Sequence, residues 1–263
     1  MSSSPAAPRV AFLVAGVQKG GTTALFDYLA DHPGLQLPAI KEAHFFDDEA
    51  RVNWDAADYA PYEALFADDG RLCGEATPIY LYWPNALERI RRYNPAMRLI
   101  LLFRDPVERA WSHWKMEFAR HAERELFAWC IREGRARMAD ADPVPGFHRV
   151  HSYVERGFYG RQLARALELF PRDQLLLLGS DALKCDPDAT IARICGFLDI
   201  ATPAQPVRAR RSRVAADIAY PSQLTRNDVT FLQRIFGEEI ARFGSLTGDT
   251  ASIAAEWLTH DAR

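Results

Sequence analysis

The segment Gly16-Val-Gln-Lys-Gly-Gly-Thr-Thr23 gathers small residues, one cation and two hydroxyls. Small residues let backbone N–H groups approach an anion, and a helix starting there adds partial positive charge. The chemistry on offer is that of a phosphate cradle. Gly16 and Gly21 have the Walker A separation, but Thr22 stands where that pattern puts lysine. The one lysine, Lys19, lies inside the loop, an arrangement suited to an anion other than a magnesium-bound nucleoside triphosphate. The plainer alternative is a tight turn that binds nothing. A second group follows the apolar run Leu99-Ile-Leu-Leu-Phe103, where Arg104 offers a planar fork and Ser112 a hydroxyl. Its plainer alternative is a surface Arg104–Asp105 ion pair, worth little. Further on, Arg208-Ala-Arg-Arg-Ser-Arg213 packs four arginines into six residues, either a local anion site or a solvated run.

These residues need a frame. Val10-Ala-Phe-Leu-Val-Ala-Gly-Val17 reads as a buried strand, and its unbroken apolar character implies a parallel sheet covered on both faces. Leu25, Tyr28 and Leu29 then share a helix face that should stop near His32-Pro-Gly34. Further strands are expected at Leu72–Cys73, Leu99–Phe103 and Leu175–Leu178. Asp105, Pro106 and Glu108 spell a helix start, followed by Val107, Ala110, Trp111, Trp114 and Phe118 on one face. Asp186 and Pro187 repeat that start before Ile191, Ile194, Cys195 and Leu198, and a last helix should span about Arg226 to Phe243. Strands alternating with helices predict a single α/β domain, P-loop-like, with a central parallel sheet flanked by helices. Residues 1–8 read as a frayed terminus, and 139–146 and 202–213 as loops.

Composition narrows the classes. At 263 residues, 48% hydrophobic and 25% charged, the chain can bury a full core unaided. Its longest apolar stretch, Val10 to Val17, is well below the roughly 20 residues of a membrane span. With neither a span nor a leader in view, a cytoplasmic, bacterial enzyme is expected. The net charge of −3 argues against nucleic acid as a partner. Cys73, Cys130, Cys185 and Cys195 lack the spacing of a zinc site and read as reduced thiols. His148 and His151 have a metal-like spacing without further ligands, so they are read as surface residues and no metal is expected.

Taken in order, the motifs resemble the sulfotransferases that use 3′-phosphoadenosine 5′-phosphosulfate (PAPS). Gln18-Lys-Gly-Gly-Thr-Thr-Ala-Leu25 looks like that family's loop for the 5′-phosphosulfate, and Leu101-Leu-Phe-Arg-Asp-Pro-Val-Glu-Arg-Ala-Trp-Ser-His113 like its 3′-phosphate motif. Lys41-Glu-Ala-His-Phe-Phe-Asp47 and Gly74-Glu-Ala-Thr-Pro-Ile-Tyr80 are similar to segments of the carbohydrate-type branch, which includes the heparan sulfate enzymes. Gly157-Phe-Tyr-Gly-Arg-Gln-Leu163, Phe170-Pro171 and Gln174-Leu-Leu-Leu177 are also similar to a family segment. The resemblance covers about residues 10 to 200 and extends less closely to Trp257.

What the resemblance implies is a division of labour. Lys19, Gly20, Gly21, Thr22 and Thr23 would hold the phosphosulfate, with Lys19 on the oxygen that departs. Arg104 and Ser112 would hold the 3′-phosphate, and Arg210 and Arg211 would belong to a loop within 202–263 that closes over the donor. Glu42 is the expected base. In an extended segment alternation puts His44 on the same side, as a partner or as the base itself. Partial burial is expected to raise the Glu42 pKa. The alternative for Glu42 is an ordinary pairing with Lys41 or Arg51. Tyr59, Tyr62, Tyr80, Tyr82 and Trp83 would flank the acceptor, or simply pack the core. Ala76 departs from the heparan sulfate pattern, which tends to have lysine there, and this weighs against a highly acidic polysaccharide. The acceptor expected is a carbohydrate or a glycosylated or aromatic small molecule, bearing a hydroxyl or amine. The competing readings are a P-loop small-molecule kinase and a non-catalytic nucleotide binder.

Overall fold

A computed structural model of the chain describes residues 9–67, 69–204, 218–248, 253 and 257. The strands are β1 Val10–Gly16, β2 Leu35–Gln36, β3 Leu72–Ala76, β4 Arg98–Phe103 and β5 Leu175–Gly179. They form one parallel sheet in the order β2-β3-β1-β4-β5. The helices are α1 Thr22–Ala30, α2 Ala60–Glu63, α3 Ala86–Tyr93, α4 Pro106–Ala119, α5 Phe127–Cys130, α6 Tyr159–Leu169, α7 Ser180–Cys185, α8 Pro187–Leu198 and α9 Arg226–Thr247.

The unbroken apolar run of β1 resolves into two faces. Phe12 and Val14, with Ile100 and Leu102 of β4, pack beneath Leu25 and Leu29 of α1 and Ile191, Ile194 and Leu198 of α8. Leu13 and Ala15, with Leu99, Leu101 and Phe103, face α3, α4, α6 and α9. Alternate side chains of a strand point to opposite faces, so a strand covered on both sides must be apolar throughout. The expected single α/β layer structure is the one observed.

The helix signals hold in detail. The Asp105 carboxylate accepts from the Glu108 N–H at 2.8 Å, and Asp186 caps Ala189 at 2.9 Å. Asp105 is therefore a cap and not the ion-pair partner of Arg104. The final helix runs four residues past Phe243 and starts with a Thr225–Asp228 capping box. β2 has only two residues, too few to leave a periodic trace. No described helix is long and apolar enough to cross a membrane.

Sheet order matters for the site. The chain leaves β1 toward β2 on one side, and leaves β4 toward β5 on the other. Between these neighbours lies the topological switch point, where open α/β sheets leave a crevice at the carboxyl ends of their strands.

Candidate active site

The loop after β1 lies in that crevice. The Val17 N–H donates to the Leu102 carbonyl at 3.0 Å, tying the loop to β4. A Cβ built on Gly20 would sit 2.3 Å from the Leu102 carbonyl oxygen, so no larger residue fits this approach. Gly21 has φ +99, a left-handed conformation that glycine adopts without strain, and turns the chain into α1. No side chain among the described residues caps α1, which leaves its first N–H groups, beside the crevice, without a capping partner. Lys19 is half-buried, and burial, together with Arg120 and Arg104, holds its pKa below the usual lysine range.

Arg104 closes the crevice from β4. Its guanidinium reaches the Lys19 carbonyl at 3.4 Å and pairs with Glu108 at 2.8 Å, while the Tyr159 hydroxyl donates to its carbonyl at 3.0 Å. The structure thus brings the loop and the start of α4 together. Thr22 is buried and Thr23 exposed. Ser112 lies half-buried two turns into α4 and makes no hydrogen bond to Arg104 or the loop among the described residues. Arg210 and Arg211, with the rest of the arginine-rich segment, lie outside the described residues.

Glu42 and His44 do meet, though not in the way alternation predicts. Residues 41–44 form no strand, and His44 has φ +52. Its Nε2 is 3.2 Å from the Glu42 carboxylate and its Nδ1 is 2.9 Å from Asp47, which is fully buried. Carboxylates on both ring nitrogens favour the imidazolium. The hydrogen bonds that His44 donates to Asp47 and then to Glu42 push its pKa up to about 9. Burial would raise the Glu42 pKa, but His44 and Lys41 together outweigh it, and the net shift is downward. The expected upward shift is therefore corrected. Lys41 lies 3.3 Å from Glu42, whereas Arg51 pairs with Asp48.

A framework sets this segment in place. The Thr77 hydroxyl, one residue past β3, accepts from the Ala43 N–H at 3.1 Å and donates to Glu75 at 2.7 Å. The Tyr80 hydroxyl accepts from the Phe45 N–H at 3.0 Å. Arg149 donates to both the Asp47 carboxylate and the Asp47 carbonyl. Burial lifts the Glu75 pKa to about 7.

Other expectations need correction. Tyr62, Tyr80, Tyr82 and Trp83 are buried in the core, with Tyr62 and Tyr80 packed against Phe46, and only Tyr59 of that set is half-exposed. Their burial fits the core-packing alternative, and Tyr62 and Tyr80 pack beneath the segment that carries Glu42 and His44. His148 and His151 are half-buried with rings 4.4 Å apart, and His151 lies 3.3 Å from Glu123. Among the described residues no three His, Cys, Asp or Glu side chains gather as a metal site.

The family profile described as "Sulfotransferase domain" matches residues 10–217. The chain belongs to the sulfotransferase family. It is 31% identical to heparan sulfate glucosamine 3-O-sulfotransferase 6 of Homo sapiens, over 72% of this chain and 52% of that protein. It is 33% identical to the membrane-associated sulfotransferase kil1 of Dictyostelium discoideum, over 72% of this chain and 56% of that one. The chain thus spans about half the length of the curated relatives it matches. A crystal structure of a sulfotransferase from Alicyclobacillus acidocaldarius superposes with a TM-score of 0.72 at 25% identity, covering 97% of each chain.

In this sulfotransferase domain, sequence reasoning passed over Asp47, Thr77 and Arg149, and read Tyr80 as a flank of the acceptor or a core residue and not as the hydroxyl that holds the Phe45 N–H. Asp47 and Tyr80 closed motifs already singled out, and the i,i+3 spacing of His44 and Asp47 was a usable signal. Arg149 had none, because it meets Asp47 across 102 residues of sequence.

Proposed function

We propose that the protein transfers the sulfuryl group of PAPS to a hydroxyl or amine of a carbohydrate, or of a glycosylated or aromatic small molecule, with Glu42 receiving the acceptor proton. The observation that supports this reading best is the convergence of Lys19 and Arg104 at the switch point, with a Glu42–His44–Asp47 relay beside β3. Relatives named for glucosamine 3-O-sulfation favour a sugar hydroxyl within the acceptor class.

The residues fit the donor. Gly20 lets the loop lie against the Leu102 carbonyl of β4, α1 presents N–H groups that no described side chain caps, and Lys19 forms no ion pair with a carboxylate among the described residues. PAPS supplies an activated sulfuryl group on a phosphate leaving group. Lys19 and the N–H groups of Gly21 to Thr23 would hold the donor's 5′ anion, and their positive charge would stabilise its phosphate leaving group. Arg104 and Ser112 hold the 3′-phosphate, and Arg210 and Arg211 supply further charge from the 202–263 region. Imidazolium His44, fixed by Asp47, orients the Glu42 carboxylate. The low pKa of Glu42 suits this task, because an acceptor oxygen already bonding to sulfur is strongly acidic and gives its proton to a weak base. Lys41 and Arg149 flank the acceptor side. They provide cations there in place of the lysine missing at position 76.

Calorimetric titration without magnesium tests the reading, using 3′-phosphoadenosine 5′-phosphate (PAP), adenosine 5′-phosphate and ATP. PAP is expected to bind tightest, and Arg104→Ala to weaken it about tenfold to hundredfold while sparing adenosine 5′-phosphate. Preference for ATP once magnesium is added would move the assignment to a kinase.

A further inference from the structure

A buried cation needs a compensating anion, and among the described residues no carboxylate forms an ion pair with Arg156, on which Glu117 and Glu42 act only from a distance. It lies in the 3₁₀ turn Glu155–Gly157, only 2% exposed. Its Nε donates to the Ser152 hydroxyl at 2.8 Å, one Nη to the Arg149 carbonyl at 2.8 Å, and the other to the Gln18 side-chain oxygen of the loop. Every one of these acceptors is neutral. Its guanidinium also lies 5.0 Å above the Tyr82 ring. No carboxylate pairs with Arg156 among the described residues.

Its surroundings add to the imbalance. Arg109, fully buried on α4, donates one Nη to the Tyr153 carbonyl, and its Nε and other Nη have no hydrogen-bond partner among the described residues. His113, one turn further and also fully buried, has no hydrogen-bond partner on either ring nitrogen among the described residues, its Nε2 lying 3.6 Å from Glu117. Burial, with Arg156, Arg109 and Lys19 nearby, drives its pKa far down and keeps it neutral. Glu117, one turn on again, is the one acidic group on this stripe, and burial raises its pKa toward the neutral form. Burial also lowers the Arg156 pKa to about 10, well above neutrality. Uncompensated buried charge is costly, and positive charge held without a partner beside a phosphate-type loop is stabilised when an anion arrives.

We propose that Arg156 is a further cation of the donor site, holding Gln18 at the mouth of the loop and supplying the charge that the 5′ anion of the donor neutralises. This rests on the PAPS reading above and adds a residue that no motif marks. The geometry divides the donor between two arginines. Arg104 serves the 3′ end, and Arg156 the 5′ end.

The test compares wild type, Arg156→Gln and Arg156→Lys in titrations with PAP, adenosine 5′-phosphate and adenosine 3′-phosphate. Arg156→Gln is expected to weaken PAP and adenosine 5′-phosphate about tenfold or more, and to leave adenosine 3′-phosphate within about twofold. Arg156→Lys keeps the charge, so its PAP affinity should stay within about threefold of wild type. Equal losses for all three nucleotides in Arg156→Gln would reduce Arg156 to a structural residue and overturn the proposal. So would a tenfold loss of PAP in Arg156→Lys, a readout that survives if the glutamine variant does not fold. Wild-type protein that ignores PAP altogether would instead defeat the PAPS reading itself.

Discussion

The two halves of the proposed site, donor and acceptor, are held by different means. On the donor side, backbone does the positioning: the loop is tied to β4 by Val17 and Leu102, Gly20 presses on the same carbonyl, and Gly21 leads directly into α1. On the acceptor side, residues 41–47 have no regular structure and hang from side chains. Thr77 and Tyr80 grip their N–H groups, and Arg149 fixes Asp47 from a distant turn. Main-chain positioning tolerates little change in residue size but much in chemistry. Side-chain positioning reverses this, letting an acceptor site be rebuilt on a constant donor platform.

The sharpest way to break the comparison is a change that stops the reaction and leaves the donor side alone. Glu42→Gln keeps the shape and removes the proton acceptor. The rate is expected to fall about 10²- to 10⁴-fold, and PAP affinity by calorimetry to stay at the wild-type value. Normal turnover by this variant would remove Glu42 as the base.

The converse change is Gly20→Ala. Its methyl would meet the Leu102 carbonyl oxygen at 2.3 Å, and backbone cannot step aside as a flexible side chain would. Overpacking of this kind costs roughly 1–3 kcal/mol, and misplacing the loop should weaken PAP about hundredfold. The His44 titration, followed by NMR, should be unchanged if the halves are held independently.

The same contrast explains what could be read from sequence. The donor side is built from local rules, so β1, the glycine loop, the Asp105 cap and the start of α4 were legible in consecutive residues. Glu42 and His44 were legible as types, but the alternation that paired them was not the geometry that does so, since His44 turns left-handed where a strand would continue. The direction of the Glu42 shift depended on Lys41 and His44 closing on one carboxylate, which residue spacing does not encode. The aromatic residues around position 80 carried a composition that serves a core and a sugar platform equally well. Only burial separates the two. Arg149 and Arg156 reach partners 102 and 138 residues away, beyond any local pattern.

A smaller change sharpens the comparison from within the acceptor half. Asp47→Asn keeps the size of the side chain and removes the anion that contributes most to the raised His44 pKa of about 9. In the wild type that pKa lies above the ordinary 6.5, so the contacts of imidazolium His44 stabilise the fold fully below about pH 6.5 and fade as pH rises through about 9. In Asp47→Asn the His44 pKa moves down toward the ordinary value, and the alkaline loss of thermal stability and of rate both begin at lower pH. Glu42 remains on the other ring nitrogen, so the imidazolium is weakened and not abolished, and the rate at neutral pH should drop by about tenfold, less than in Glu42→Gln. An NMR titration of His44 alongside the pH–rate profile checks both. A His44 pKa that stays near 9 without the Asp47 anion would mean that Glu42 alone holds the charge, and the acceptor half would then be a pair and not a three-residue relay.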